Sequence, residues 1–408
     1  MGSEMCIRDR IKSLIIAVFL FFQVLSANGE VFRFKYIEGD KYRILSKVNE
    51  DVYINGVFSH RAEILNKISI HISKVKDKAG YLEAEFQTSE RSAGESSIFT
   101  WSEYYRSEFL RDERGYFDIE NKYYMPVVRN VPAFPERNII KGESWAAEGE
   151  EVHDLRNNFN ITEPFRFPIW VTYKYLGREK KDGKEYDVIS IKYNVFYKVK
   201  NIKRSVGMYP VRISGYSDQI FLWDNHLGRS HSYRESFDIF FTFSTGDEVE
   251  YVGEASAEII ESSIMNREEI AEKIRQKLLE RGVSDTAVKT EDRGVTITLE
   301  NIQFLPDSTV LISSEKEKLT KIGEILKEYP DRDILITGHT ALAGTEEGRR
   351  RLSELRARTV AEYLLFLGVR REEQMVIQGM GADKPVADNS TEEGQRKNRR
   401  VEITILEN

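Results

Sequence analysis

The stretch ILITGHTALAGTEEGRRRLSELRA, residues 334–357, decides how the carboxyl-terminal part of this chain folds. Ile334-Leu335-Ile336 is a short apolar run of the kind buried within a sheet. Gly338-His339-Thr340 follows as a loop that leads through Gly344. A helix then carries Leu352-Ser353-Glu354-Leu355-Arg356-Ala357 on to Leu367, where Gly368 ends it. Downstream, strands are expected at 374–378 and 401–406. Upstream, Asn266 is placed to cap a helix, with Glu269 three positions on. Ile270, Ile274 and Leu278 then repeat every four residues until Gly282. Strands at 295–299 and 302–305 come next. A helix from about Glu315 carries Leu319, Ile322, Ile325 and Leu326, and Pro330 stops it. Strands alternating with helices predict an α/β layer structure, and they mark residues 262–408 as a separate domain.

Residues 30–260 read differently. Ile68-Ser69-Ile70-His71-Ile72 alternates strictly, and Ile189, Ile191, Tyr193 and Val195 do so over a longer run. Phe237-Asp238-Ile239-Phe240-Phe241-Thr242-Phe243 is another aromatic-rich run. Turn signals at Glu38-Gly39-Asp40, Asn55-Gly56 and Asp182-Gly183 punctuate them. The expectation is a large antiparallel β region, as two packed sheets or as two subdomains divided near 132–142. Alternation rich in Tyr and Phe also suits an outer-membrane barrel. Charges on both faces of segments such as Val31-Phe32-Arg33-Phe34-Lys35-Tyr36 favour a soluble sheet. The fold class is therefore α+β and multidomain, an antiparallel β-rich region followed by an α/β sandwich with helices on one face of a mixed sheet.

A length of 408 residues suits two or three domains. The net charge of -7 gives no overall pull toward nucleic acid, and one cysteine excludes a disulfide framework. Arg8, Arg10 and Lys12 precede an apolar run over 14–22, and the small residues Ser26-Ala27-Asn28-Gly29 follow. This pattern predicts an export signal over residues 1–29, cut after Ala27 or Gly29, with an uncleaved anchor as the other reading. Cys6 precedes the apolar run, so it is not the lipid-bearing cysteine that follows a lipoprotein signal. The expected compartment is the periplasm, with outer-membrane association. Membrane contact of the β region stays open at this point.

Beyond residues 334–357 come Gly379-Met380-Gly381, Pro385, Asn389 and Gly394, then Asn398-Arg399-Arg400-Val401-Glu402. Ile302-Gln303-Phe304, Asp307-Ser308 and Leu311 precede them. In this order and spacing, residues 290–408 resemble the OmpA C-terminal-like domain shared with peptidoglycan-associated lipoproteins and flagellar stator proteins. The resemblance implies non-covalent binding of the peptidoglycan stem peptide, with no catalysis and no cofactor. In that family an aspartate directly after Gly-His-Thr receives the ammonium of diaminopimelate. The arginine of Leu-Ser-x-x-Arg-Ala holds its carboxylate, and here that arginine is Arg356. The aspartate's position is Ala341, beside Thr340. A further family position, often asparagine, is Arg349. Arg349 and Arg356 are two helical turns apart and share a helix face. Losing one charge-assisted hydrogen bond costs roughly 1.5–3 kcal/mol, about ten- to a hundredfold in affinity.

Three readings follow. The domain binds a stem peptide whose third residue is not diaminopimelate, the arginines gripping another carboxylate. Alternatively Glu346 or Glu347 replaces the aspartate. In the third reading wall binding is lost, and the domain is a scaffold for other envelope proteins. Arg399 is a candidate ligand residue, yet it and Arg400 also suit a structural role beside Glu402. Arg350, Arg351 and Arg358 read as a solvated face, and His339 as a structural histidine. His226 and His231 have no carboxylate cluster of metal-ligand spacing near them. Neither a phosphate-binding Gly-rich loop nor a serine nucleophile elbow occurs, so no catalytic, metal or nucleic-acid site is expected.

Overall fold

The structure is a computed structural model that describes residues 29–92, 98–200, 207–260, 265–291, 293–300, 302, 304 and 309–407. The export signal expected over residues 1–29 lies outside these residues save for Gly29. Gln303, Asp307 and Ser308 lie outside them too.

The first part of the chain forms strands β1 (Lys41–Ile54), β2 (Val57–Lys76), β3 (Ala79–Ser92), β4 (Phe99–Arg111), β5 (Phe117–Ile119) and β6 (Val128–Arg129). After these come β7 (Ser144–Leu155), a single-turn helix α1 (Arg156–Phe159), β8 (Ile161–Lys181), β9 (Lys184–Lys198), β10 (Pro210–Asp224), β11 (Arg229–Phe243) and β12 (Glu248–Ile260). Alternation explains them. Along β8, Phe165, Phe167, Ile169, Val171, Tyr173 and Tyr175 are buried, while Pro168, Trp170, Thr172 and Lys174 between them are exposed. Asn55 and Gly56 both take positive φ, 51° and 75°, the geometry a two-residue turn needs to join β1 to β2.

Among themselves these strands pair antiparallel. From β1 the ladder runs through β2, β3 and β4 to β5. On its other side β1 pairs with β12, and the ladder continues through β11, β10, β9, β8 and β7 to β6. Among the described residues β5 pairs only with β4 and β6 only with β7, so the sheet is open. This overturns the outer-membrane barrel reading, and one sheet stands where two packed sheets were also expected. Residues 132–142 join β6 to β7, and the strands on either side of them belong to the same sheet. One sheet face is filled by the chain itself. Phe32 and Phe34 ahead of β1, with Phe134 before β7, pack on Trp145, Tyr175 and Trp223.

The second part comprises α2 (Arg267–Glu280), β13 (Thr286–Glu291), β14 (Gly294–Glu300), α3 (Ser313–Leu326), β15 (Ile334–Gly338), α4 (Glu346–Phe366), β16 (Met375–Gly379), α5 (Glu392–Asn398) and β17 (Arg400–Leu406). The sheet order is β13-β14-β17-β15-β16, antiparallel except for the β15–β16 pair. Asn266 caps α2, accepting from the Glu269 N–H at 3.2 Å. Leu278, Leu319, Ile322, Val360 and Leu364 from three helices bury one sheet face carrying Ile297, Ile336, Ile377 and Ile403. Of the strand expected at 302–305, the described residues show only an isolated bridge between Phe304 and Leu311. β13 was not foreseen. Val288 is the member of that edge strand packed against the core, so its apolar pattern is too thin to read.

The two parts are joined. Phe99 and Thr100 of β4 pair in parallel with Val376 and Ile377 of β16. Trp101 packs on Leu335, Val376 and Leu406, on the sheet face away from the helices. Lys67 and Asp333 form an ion pair at 3.0 Å with side chains only 7% and 8% exposed. Arg91 bridges Glu63 and Glu372 at 2.7 and 3.0 Å. Arg358, expected on a solvated face, is half-buried, and one of its nitrogens lies 3.4 Å from the Thr100 hydroxyl.

Candidate functional site

Close backbone approach builds the site. A Cβ at Gly338 would lie 2.0 Å from the Ser353 carbonyl oxygen, and one at Gly379 2.7 Å from that of Arg350. Glycine at both positions lets α4 lie directly across the ends of β15 and β16. The Ser353 hydroxyl donates to the Arg350 carbonyl at 2.7 Å and accepts from the Gly381 N–H at 2.9 Å. Thr345 caps α4, its hydroxyl accepting from the Gly348 N–H at 3.2 Å.

The loop after β15 is held from both sides. Thr340 N–H donates to the Gly381 carbonyl at 2.8 Å, and His339 N–H to the Arg400 carbonyl at 3.0 Å. Leu342 N–H donates to Asn389 Oδ1 at 3.1 Å, and Asn398 Nδ2 donates to the same oxygen at 2.9 Å. Asn398 Oδ1 in turn accepts from the Val386 and Ala387 N–H groups at 2.8 and 3.0 Å. The loop thus runs between α4, which carries Arg349 and Arg356, and the Asn398-Arg399-Arg400 segment.

Thr340 and Ala341 are buried in this loop, and the Thr340 hydroxyl has no hydrogen-bond partner among the described residues. Arg356 is half-buried, its guanidinium 5.0 Å from the centroid of the Phe304 ring. Among the described residues its Nε has no hydrogen-bond partner, and neither Arg356 nor Arg399 has an ion pair. Burial first, and the charge of Arg399 second, pull the Arg356 pKa below the usual arginine value. Among the described residues the site is therefore rich in cation and short of anion.

Arg349 shares the α4 face with Arg356, but its guanidinium turns back, and Nη1 donates to the Gly344 carbonyl at 2.5 Å. The charge acting on Arg356 is that of Arg399. Phe304 is the contact that residue reading missed; the sequence places it in a family motif but does not show that it meets Arg356. Other residues are structural. Arg400 is buried, with Nε donating to Glu402 at 2.7 Å and Nη2 to the Lys384 carbonyl at 3.1 Å. His339 Nε2 lies 3.4 Å from Glu402. Burial acts to raise the Glu402 pKa, but His339 and Arg400 outweigh it and hold the carboxyl down at about 2. Arg350 pairs with Asp383 at 2.8 Å and with Glu346 at 3.5 Å.

A mixed sheet with helices on one face and an arginine-bordered loop at one end defines the class, a small α/β module. Residues 303–399 match the OmpA family, and this part of the chain belongs to it. The chain is similar to the probable lipoprotein YiaD of Escherichia coli, 37% identical over 133 residues, covering 33% of this chain and 59% of that protein. It is also similar to the peptidoglycan-binding protein ArfA of Mycobacterium bovis, 39% identical over 104 residues, covering 26% of this chain and 32% of that one. The chain therefore spans less than two thirds of either relative. Among solved structures, an outer membrane protein from Borrelia burgdorferi matches at 34% identity, over 30% of this chain and 96% of that one, with a TM-score of 0.25.

Proposed function

We propose that this is a non-enzymatic, exported envelope protein whose OmpA domain, within residues 262–408, holds an acidic group of the peptidoglycan stem peptide. The β-rich region, residues 30–260, would be positioned at the wall by that grip, in the periplasm and beside the outer membrane. One observation carries the reading. Arg356 stands half-buried over Phe304, next to Arg399, and neither has a carboxylate partner among the described residues. A carboxylate entering beside Thr340 and Ala341 would supply the missing charge, and arginine's planar fork suits it. The ligand-binding set is Arg356 and Arg399 with Thr340 and Ala341, and Arg349 at the entrance. Two of the relatives are called a lipoprotein and a peptidoglycan-binding protein, which supports the assignment. Glu346 faces Arg350 at 3.5 Å, while Glu347, the other acid offered for the place of the aspartate, is exposed with no ion pair among the described residues.

Retention on purified sacculi tests the reading. The wild-type chain should sediment with sacculi, and Arg356→Ala should lose at least tenfold in retention. No retention of the wild type would leave an envelope scaffold for protein partners. Calorimetric titration should show Ala341→Asp gaining about ten- to a hundredfold in affinity for free-amine diaminopimelate fragments, the worth of one charge-assisted bond.

A further inference from the structure

We infer that the site around Ala341 selects stem peptides whose side-chain amine is acylated, as in a cross-link, over the same peptides with a free ammonium. The inference rests on the wall-binding reading above and specifies its ligand. Its basis is a tally of charges around one loop. Residues 339–342 are tied to Gly381 and Arg400 on their flanks and to Asn389 through the Leu342 N–H. Of the guanidiniums on the segments that border this loop, Arg349 and Arg356 on α4 and Arg399 after α5 have no ion pair among the described residues.

Four of the described carboxylates of these segments are engaged elsewhere, and Glu347 and Glu392 are exposed in the first turns of α4 and α5 with no ion pair among the described residues. Glu402 is held by Arg400 and His339, and Asp383 by Arg350. Glu354 pairs with Arg358, and Asp388 accepts from the Ser390 N–H and hydroxyl. An ammonium brought in beside the ligand's carboxylate would meet like charge and, among the described residues of the bordering segments, no buried unpaired acid, a repulsion that partial burial strengthens. Acylation turns that ammonium into a neutral amide. The buried Ala341 methyl offers apolar contact to the acyl group, and the unpartnered Thr340 hydroxyl offers a hydrogen bond to its carbonyl.

The test is calorimetric titration of the full chain with two probes. Both are stem tripeptides ending in diaminopimelate, one with a free side-chain amine and one acetylated there. The wild type should bind the acetylated probe at least tenfold more tightly, and Ala341→Asp should reverse the order. Equal or tighter binding of the free amine by the wild type would overturn the inference and leave the wall-binding reading standing. If the wild type binds neither probe, that reading fails and the inference falls with it.

Discussion

Arg356 shows how far one side chain's surroundings decide its use. An exposed arginine on a helix is commonly a solvated charge, whereas this one rests on Phe304 and faces Arg399 without a counter-ion among the described residues. Glu50 of β1 is a second residue whose surroundings oppose its charge. Burial first, and Glu90 second, push its carboxyl up to about 7 from an ordinary 4.5. A raised folded pKa favours the protonated fold. The stability contribution is full below pH 4.5 and is lost as pH rises through about 7. Glu50→Gln should therefore stabilise the chain by about 1–3 kcal/mol at pH 8 and leave it unchanged at pH 4, by urea unfolding. The residues of the site were legible in part. Arg356, Thr340 and Ala341 are candidates through the family resemblance, and glycines at 338 and 379 let α4 cross the strand ends beside their loop. The turn of Arg349 toward the Gly344 carbonyl was not legible, because a shared helix face fixes Cβ positions and leaves the long side chain free to choose.

Among the elements, helices and central strands of the OmpA domain announce themselves, since caps and apolar repeats are local signals. Asn266 before α2 and Thr345 before α4 both act as caps in the structure. What joins β4 to β16 is long-range, and no local pattern records it. Lys67 on β2 gives no sign that its partner is Asp333, more than two hundred residues away in the chain. Breaking a buried pair strands one charge, so Asp333→Ala should cost about 3–5 kcal/mol in chemical denaturation. Pairing it with Lys67→Met should recover much of that loss, since no charge is then stranded. Recovery of none would mean that Asp333 acts mainly through Arg43 and Arg370, whose pKa values it also supports.

At the level of the whole molecule, Trp101 is the wedge between the two sheets. It is buried against Leu335, Val376 and Leu406, and Arg293 lies over its ring at 4.9 Å. Truncating such a side chain costs about 3–5 kcal/mol. In scanning calorimetry Trp101→Ala should split a single melting transition into two, one for each part of the chain. An unsplit transition at the wild-type temperature would count against Trp101 as the joint.

The rung between Phe99 and Val376 has a mechanical meaning. If the wall is the anchor, tension enters at α4, crosses the mixed sheet and leaves through Trp101 and the Lys67–Asp333 pair into β2 and β4. The antiparallel sheet is then carried as a rigid strut, braced from the side instead of trailing on a leash.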